Sequence, residues 1–130
     1  WIDEFGVKYS ADRKKLISCP YNCNLTTYTI NAGCEVICDK AFYGCSRLTT
    51  LIIPNSVKAI GEMAFLGCNN LTTIYVSWED PTIVSGLIHF PDKAVFYLPY
   101  GIRVDWYKRM GMKTATARLT ELHPINSVTE

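Results

Sequence analysis

The sequence is short of the residues and patterns that usually announce chemistry. Histidine is scarce: His89 and His123 are the only two in 130 residues. Neither belongs to a recognised site motif, and a general base needs an oriented partner, so both read as surface or partly packed side chains. Charge of one sign is missing too. Thirteen Lys+Arg stand against twelve Asp+Glu, a net charge of +1, which gives no bulk field for nucleic acid or for cations. No long apolar run occurs. The longest uncharged stretch, residues 16–34, contains Pro20, Gly33, Asn22, Asn24 and Asn31 and would not span a bilayer as a helix. G-x-S-x-G, P-loop and H-E-x-x-H motifs are lacking, so no catalytic residue, metal or cofactor is expected. No signal peptide is visible, and the chain begins at Trp1 rather than Met. It is read as a processed or excised piece of a longer chain.

What is present is apolar. Hydrophobic residues make up 48% and aromatics 12%, enough to exclude a disordered tail and to predict a packed core. Six cysteines invite a disulfide framework, although a chain of this size and apolar content needs no staples. Cys19/Cys23 and Cys34/Cys38 are C-x₃-C pairs, which matches neither a zinc knuckle nor a thioredoxin-type motif. The spacing assigns them no role.

The chain repeats itself. Leu25-Thr26-Thr27 recurs as Leu48-Thr49-Thr50 and as Leu71-Thr72-Thr73, an interval of 23 residues each time. Residues 25–47 and 48–70 agree at nine of 23 positions, including Ile30/Ile53, Ile37/Ile60, Ala41/Ala64, Phe42/Phe65, Gly44/Gly67 and Cys45/Cys68. Each unit opens with strand-like alternation that Pro54-Asn55 ends. Val57, Ile60, Ala64 and Phe65 then predict a turn and a short helix on the far side of a coil. One such unit cannot bury its apolar face alone, but stacked units can. The predicted inner ladders are Tyr28, Leu51, Ile74, Phe96 and Ile30, Ile53, Val76, Leu98. The register loses one residue before Phe96. Cys45 and Cys68 share a rung and read as small, reduced, buried thiols rather than a disulfide.

The pattern L-x-x-L-x-I-P-x-S-V-x-x-I-G-x-x-A-F-x-x-C, which stands here as residues 48–68, resembles the BspA-like leucine-rich repeat, frequent in surface and secreted proteins of gut and oral Bacteroidetes. Residues 6–17 resemble a hairpin that precedes the repeats in that family, with Arg13 where its turn usually has Gly. Phe96 to Gly101 with Tyr107 and Lys108 resembles the closing segment: a last strand and a capping helix over residues 102–110. Met110 or Met112 takes the place of a usual Trp. In that helix Val104 and Tyr107 face the last coil while Asp105 pairs with Arg109. The resemblance implies a short right-handed α/β leucine-rich-repeat solenoid with a parallel sheet on one face. Its expected division is a single domain, 1–130, made of an N-terminal hairpin unit (1–24), repeats 25–47, 48–70 and 71–93, a terminal strand and capping helix (94–121) and a tail (122–130).

Residues alternating with the inner ladders face outwards: Thr27, Thr29, Thr50, Ile52, Thr73, Tyr75, Val95 and Tyr97. Solenoids offer such a face as a binding surface, although Thr and Tyr are also good strand formers. The resemblance implies an extracellular or cell-surface, non-enzymatic module that binds a protein or glycan, while the charge balance argues against nucleic acid and the lack of a long apolar run against membrane insertion in this fragment. The alternative is a structural spacer presenting another domain. An enzyme would need convergent polar groups, such as His89 with Glu79 or Asp80 in a pocket, and a loop site around Trp78 is the fallback. Residues 101–120 carry five basic side chains and one acidic, read as a solvated helix face. An unpaired N-terminal strand edge is a template for self-association.

Overall fold

The alternation that opens each repeat folds as a short strand, and equivalent strands stack in one register. The computed structural model describes residues 1–20 and 23–117; His123 and the expected tail lie outside them. The chain runs through β1 (Lys8–Tyr9), β2 (Lys15–Ser18), β3 (Thr27–Thr29), β4 (Val36–Ile37), β5 (Thr50–Ile52), β6 (Ala59–Ile60), β7 (Thr73–Tyr75), two 3₁₀ turns (Pro81–Ile83 and Leu87–His89), β8 (Val95–Pro99), α1 (Val104–Arg109) and β9 (Lys113–Ala117). One sheet has the order β3-β5-β7-β8-β9 and is parallel throughout; the other has the order β1-β2-β4-β6. The inner rows pair as expected: Tyr28 with Leu51, Leu51 with Ile74, Ile74 with Phe96. All four are buried, as are Ile30, Ile53, Val76 and Leu98.

The far side of the coils departs from expectation. Where residues 57–65 predict a short helix, the chain forms a second parallel ladder, β2 with β4 and β4 with β6, followed by tight turns. The cause is local. Lys40 and Met63, one repeat apart, take positive φ (58° and 56°), and a left-handed residue cannot continue an α-helix. Gly61 lies so close to the preceding coil that a Cβ there would collide with the backbone N of Asp39. Backbone bonds between coils replace those a helix would make: Lys58 N–H donates to Glu35 O (2.7 Å), Gly61 to Ile37 O (2.7 Å) and Phe42 to Ala64 O (2.8 Å).

The third coil is irregular in a specific way. Ala59 bridges to Ser85, an interval of 26, whereas Thr73 pairs with Val95, an interval of 22. The coil gains three residues before Ser85 and loses four by Val95. The insertion is the Pro81–Ile83 turn, where the Asp80 carboxylate accepts from Thr82 N–H at 2.9 Å. Phe90, rather than the residue 23 beyond Phe65, therefore completes the ring stack. Phe42 and Phe65 lie 5.3 Å apart at 9°, and Phe65 and Phe90 4.6 Å apart at 19°.

Both ends are closed by side chains. β1 and β2 form the expected hairpin. Arg13 sits at φ 63°, the left-handed region Gly favours, and its guanidinium lies 4.0 Å over the Trp1 ring. The Asp3 carboxylate accepts from Val7 N–H (2.9 Å) and from the Tyr28 hydroxyl (2.5 Å), which also meets the Tyr9 hydroxyl (2.5 Å). At the other end the expected helix is present, with Tyr107 fully buried and its hydroxyl donating to Trp78 O. Asp105 accepts from Arg103 (3.2 Å) and faces Arg109 at 3.9 Å. Met112 packs on the core while Met110 is exposed. One element went unread: β9, which pairs with β8 over five residues and extends the sheet past the helix.

Two tests follow from this packing. Phe65→Ala opens the middle of the ring stack and should cost about 3–5 kcal/mol, while Tyr75→Ala on the outer face should cost much less. Thermal melts showing Tyr75 the worse of the two would mean that the faces are swapped. The buried phenols set an alkaline limit. Burial pushes Tyr9 up to about 12 and raises Tyr28 and Tyr107 as well. Unfolded tyrosines ionise at about pH 10 and unfolded thiols at about 8.5. Both release protons that the folded chain retains on its buried phenols and on Cys34 and Cys68, whose thiols burial also raises. Stability is therefore full below roughly pH 8 and falls as pH rises through the folded values. Urea melts of the reduced chain from about pH 7 to 11 should show that decline beginning at about 8.5, steepening above about 10, and no equivalent change at neutral pH.

Candidate functional site

Strand pleating sends alternate residues away from the core, and in the five-stranded sheet this makes two outward rows. One row runs Thr27, Thr50, Thr73, Val95, Lys113; the other runs Thr29, Ile52, Tyr75, Tyr97, Ala115. The two tyrosine rings lie 5.3 Å apart at 38°. Both are partly exposed, as are Thr50, Thr73 and Val95, and Thr27 is exposed. Ile52 is only 7% exposed although it stands outside the core cluster, because it lies in the row between Thr29 and Tyr75. Thr29 Oγ1 is covered as well and has no hydrogen-bond partner among the described residues. The accessible part of the face is thus the hydroxyl row, the tyrosine pair and Thr29 apart from its covered Oγ1, with Ile52 buried beside them. Lys113 and Ala115 join it through the unanticipated β9.

A concavity lies on the turn side, between coils. It is a groove of about 540 Å³ lined by Met63, Leu66, Asn69, His89, Asp92 and Lys93 among others. Met63 and Leu66 are half exposed there. His89 meets Asp92 and Lys93 in this lining, not Glu79 or Asp80; Asp80 caps the 3₁₀ turn instead. Trp78 is not a loop site: it is 2% exposed, packed in the core behind Tyr107.

The cysteines are all free thiols. Cys45 and Cys68 are both buried. Cys68 Sγ donates to Phe42 O at 3.0 Å, and burial pushes its thiol up to about 12. Cys34 Sγ donates to Val36 O at 3.4 Å and is pushed up to about 11, also by burial. Cys45 does more than share a rung with Cys68. Its Sγ and those of Cys19 and Cys23 all lie within 4.8 Å of one another. Hydrogen bonding with Cys19 holds the Cys45 thiol below its ordinary value, and the same bond together with burial pushes Cys19 up. Spacing in the sequence gave no sign of this trio.

The family profile of the BspA type leucine rich repeat region matches residues 17–86, in six copies. The chain belongs to the BspA-type leucine-rich-repeat family. A search of curated proteins finds no match. Among solved structures the chain is similar to a leucine-rich repeat protein of T. pallidum, at 22% identity and a TM-score of 0.44 over 83% of this chain and 44% of that one. It is also similar to the pneumococcal vaccine antigen PcpA, at 15% identity and 0.45 over 88% and 47%. This BspA-type chain spans less than half the length of either. Repeats of its family are in general non-enzymatic scaffolds for protein interaction. No helix among its described residues is long and apolar enough to cross a membrane.

The covered hydroxyl of Thr29 offers a direct test of this face. Thr29→Val keeps the shape and removes a buried polar atom that has no partner among the described residues, so it should stabilise the BspA-type coil by about 1 kcal/mol. A denaturant midpoint that falls instead would show that the hydroxyl is paired in solution.

Proposed function

We propose that this chain is a non-enzymatic binding module of a bacterial cell-surface or secreted protein, and that it takes a protein or glycan partner on the outward face of the five-stranded sheet. The observation that carries the proposal is the Tyr75–Tyr97 pair, partly exposed and adjacent at 5.3 Å on a backbone fixed by parallel pairing. Two rigid aromatic rings with polar tips give large contact area at little entropic loss, which is why Tyr is enriched in interfaces. The hydroxyls of Thr27, Thr50 and Thr73 flank the pair and supply donors and acceptors that suit sugar hydroxyls or a peptide backbone. In this proposal residues 1–130 act as one domain, divided into the hairpin unit, repeats and closing segment given above. β3 is the end strand of its sheet, and self-association through that edge belongs to the same proposal because it leaves the outward face free.

The experiment is a glycan array and a host-protein pull-down with the parent chain, followed by titration of each hit against Tyr75→Ala/Tyr97→Ala. The double variant should bind at least tenfold more weakly while melting like the parent. Sedimentation at several concentrations should show the same self-association in both. Equal affinity for every hit would remove the sheet face as the site and favour the groove beside His89. No hit at all, with a folded parent, would favour a spacer that presents another domain.

A further inference from the structure

We propose that Cys19, Cys23 and Cys45 form a site for a thiophilic d¹⁰ metal ion, Zn²⁺ or Cu⁺, held by three thiolates with one side open to solvent. Their Sγ atoms all lie within 4.8 Å of one another. With metal–sulfur bonds of about 2.3 Å, sulfurs on one ion stand about 3.8 Å apart in a tetrahedron and about 4.0 Å apart in a trigonal plane. The three thiols therefore close on one ion by moving about an ångström or less. Cys45 is buried and forms the floor; Cys19 and Cys23 are half-buried and form the rim. The backbone sets the first and last of these: Cys19 follows β2 and its N–H donates to Ala41 O (2.8 Å), while Cys45 N–H donates to Phe42 O (3.1 Å) in the turn that closes the coil.

The surroundings favour three ligands and a soft ion. Cys68, one coil on, is committed to Phe42 O, and Cys34 to Val36 O. Among the described residues no His, Asp or Glu joins the trio. An all-sulfur donor set selects Zn²⁺ and Cu⁺ over oxygen-seeking cations. A disulfide would use two of the three sulfurs and strand the third, whereas a metal takes all three. Binding replaces each S–H proton by the metal, so up to three protons leave per ion. The site ties the N-terminal hairpin to the first coil, and a ligand that binds only the folded chain raises its stability.

The test uses the intact, reduced chain titrated with Zn²⁺ and Cu⁺, and with Co²⁺ as an optical probe. One equivalent should bind, with sulfur-to-cobalt charge-transfer absorption and a rise in Tm. Cys23→Ser, at the rim, should keep the metal-free Tm, lose the rise, and weaken Zn²⁺ binding on the order of 100-fold or more. Cys38→Ser, in the other C-x₃-C pair, should bind as the parent does. Competition between Zn²⁺ and Cu⁺ decides which ion the site prefers. Absence of stoichiometric binding, parental affinity in Cys23→Ser, or a disulfide within the trio in protein alkylated on recovery from its source would overturn the proposal.

Discussion

The stacking of one coil on the next, at a spacing that satisfies backbone and side chains together, is the constraint on which everything else rests. Strands in a sheet stand about 4.8 Å apart, and aromatic rings prefer centroid distances of roughly 4.5–7 Å. A residue that recurs once per coil therefore meets its own copy at a distance where rings pack well. Phe42, Phe65 and Phe90 do this at 5.3 and 4.6 Å. Tyr28 lies 6.1 Å from Phe42, with Phe5 edge-on at 5.9 Å, and Phe96 closes the far end edge-on to Phe90 at 5.3 Å. One column of rings thus runs from Phe5 at the N-terminal surface through the interior to Phe96 in β8. The inter-coil hydrogen bonds on both sides of the coil hold the same rise, so neither set strains the other.

That constraint explains which features were legible. The inner rows could be read because they repeat: Leu51 has a counterpart 23 residues before and after it, and burial forces both counterparts to be apolar. The far-side turns were misread because Ile60, Ala64 and Phe65 suit a helix by spacing. What excludes one is the left-handed backbone at Met63 and the crowding at Gly61, neither of which leaves a hydrophobic pattern. The register of Ser85 and Phe90 is hidden for another reason. An insertion and a compensating deletion inside one coil look, from outside it, like the loss of a single residue. β9 was missed because Lys113-Thr114-Ala115 carries no Leu or Ile; its inward residue opposite Phe96 is Thr114, as befits a strand at the end of the stack with less core to face.

The candidate sites divide along the same line. The outward rows followed from alternation and so were legible by position. Their accessibility was not, because alternation does not show that Ile52 is buried or that the Thr29 hydroxyl is covered. The thiol trio was illegible by any spacing rule. It joins a C-x₃-C pair outside the clear repeats to a rung cysteine inside them, and only the path of the chain from β2 around the first coil brings them together.

The repeat also indicates where information about a partner resides. Thr27, Thr50 and Thr73 belong to the recurring Leu-Thr-Thr, so their presence on the outward face follows from the repeat itself and separates a binding coil from a spacer coil poorly. The neighbouring row changes at almost every step: Thr29, Ile52, Tyr75, Tyr97, Ala115. Inner rows cannot vary in this way without disturbing the ring column and the packing around it. Outer rows can, because the sheet beneath them is fixed from the inside. Under the proposed mode of binding, recognition is written in the positions that break the repeat, and here the break is sharpest where two tyrosines succeed a threonine and an isoleucine.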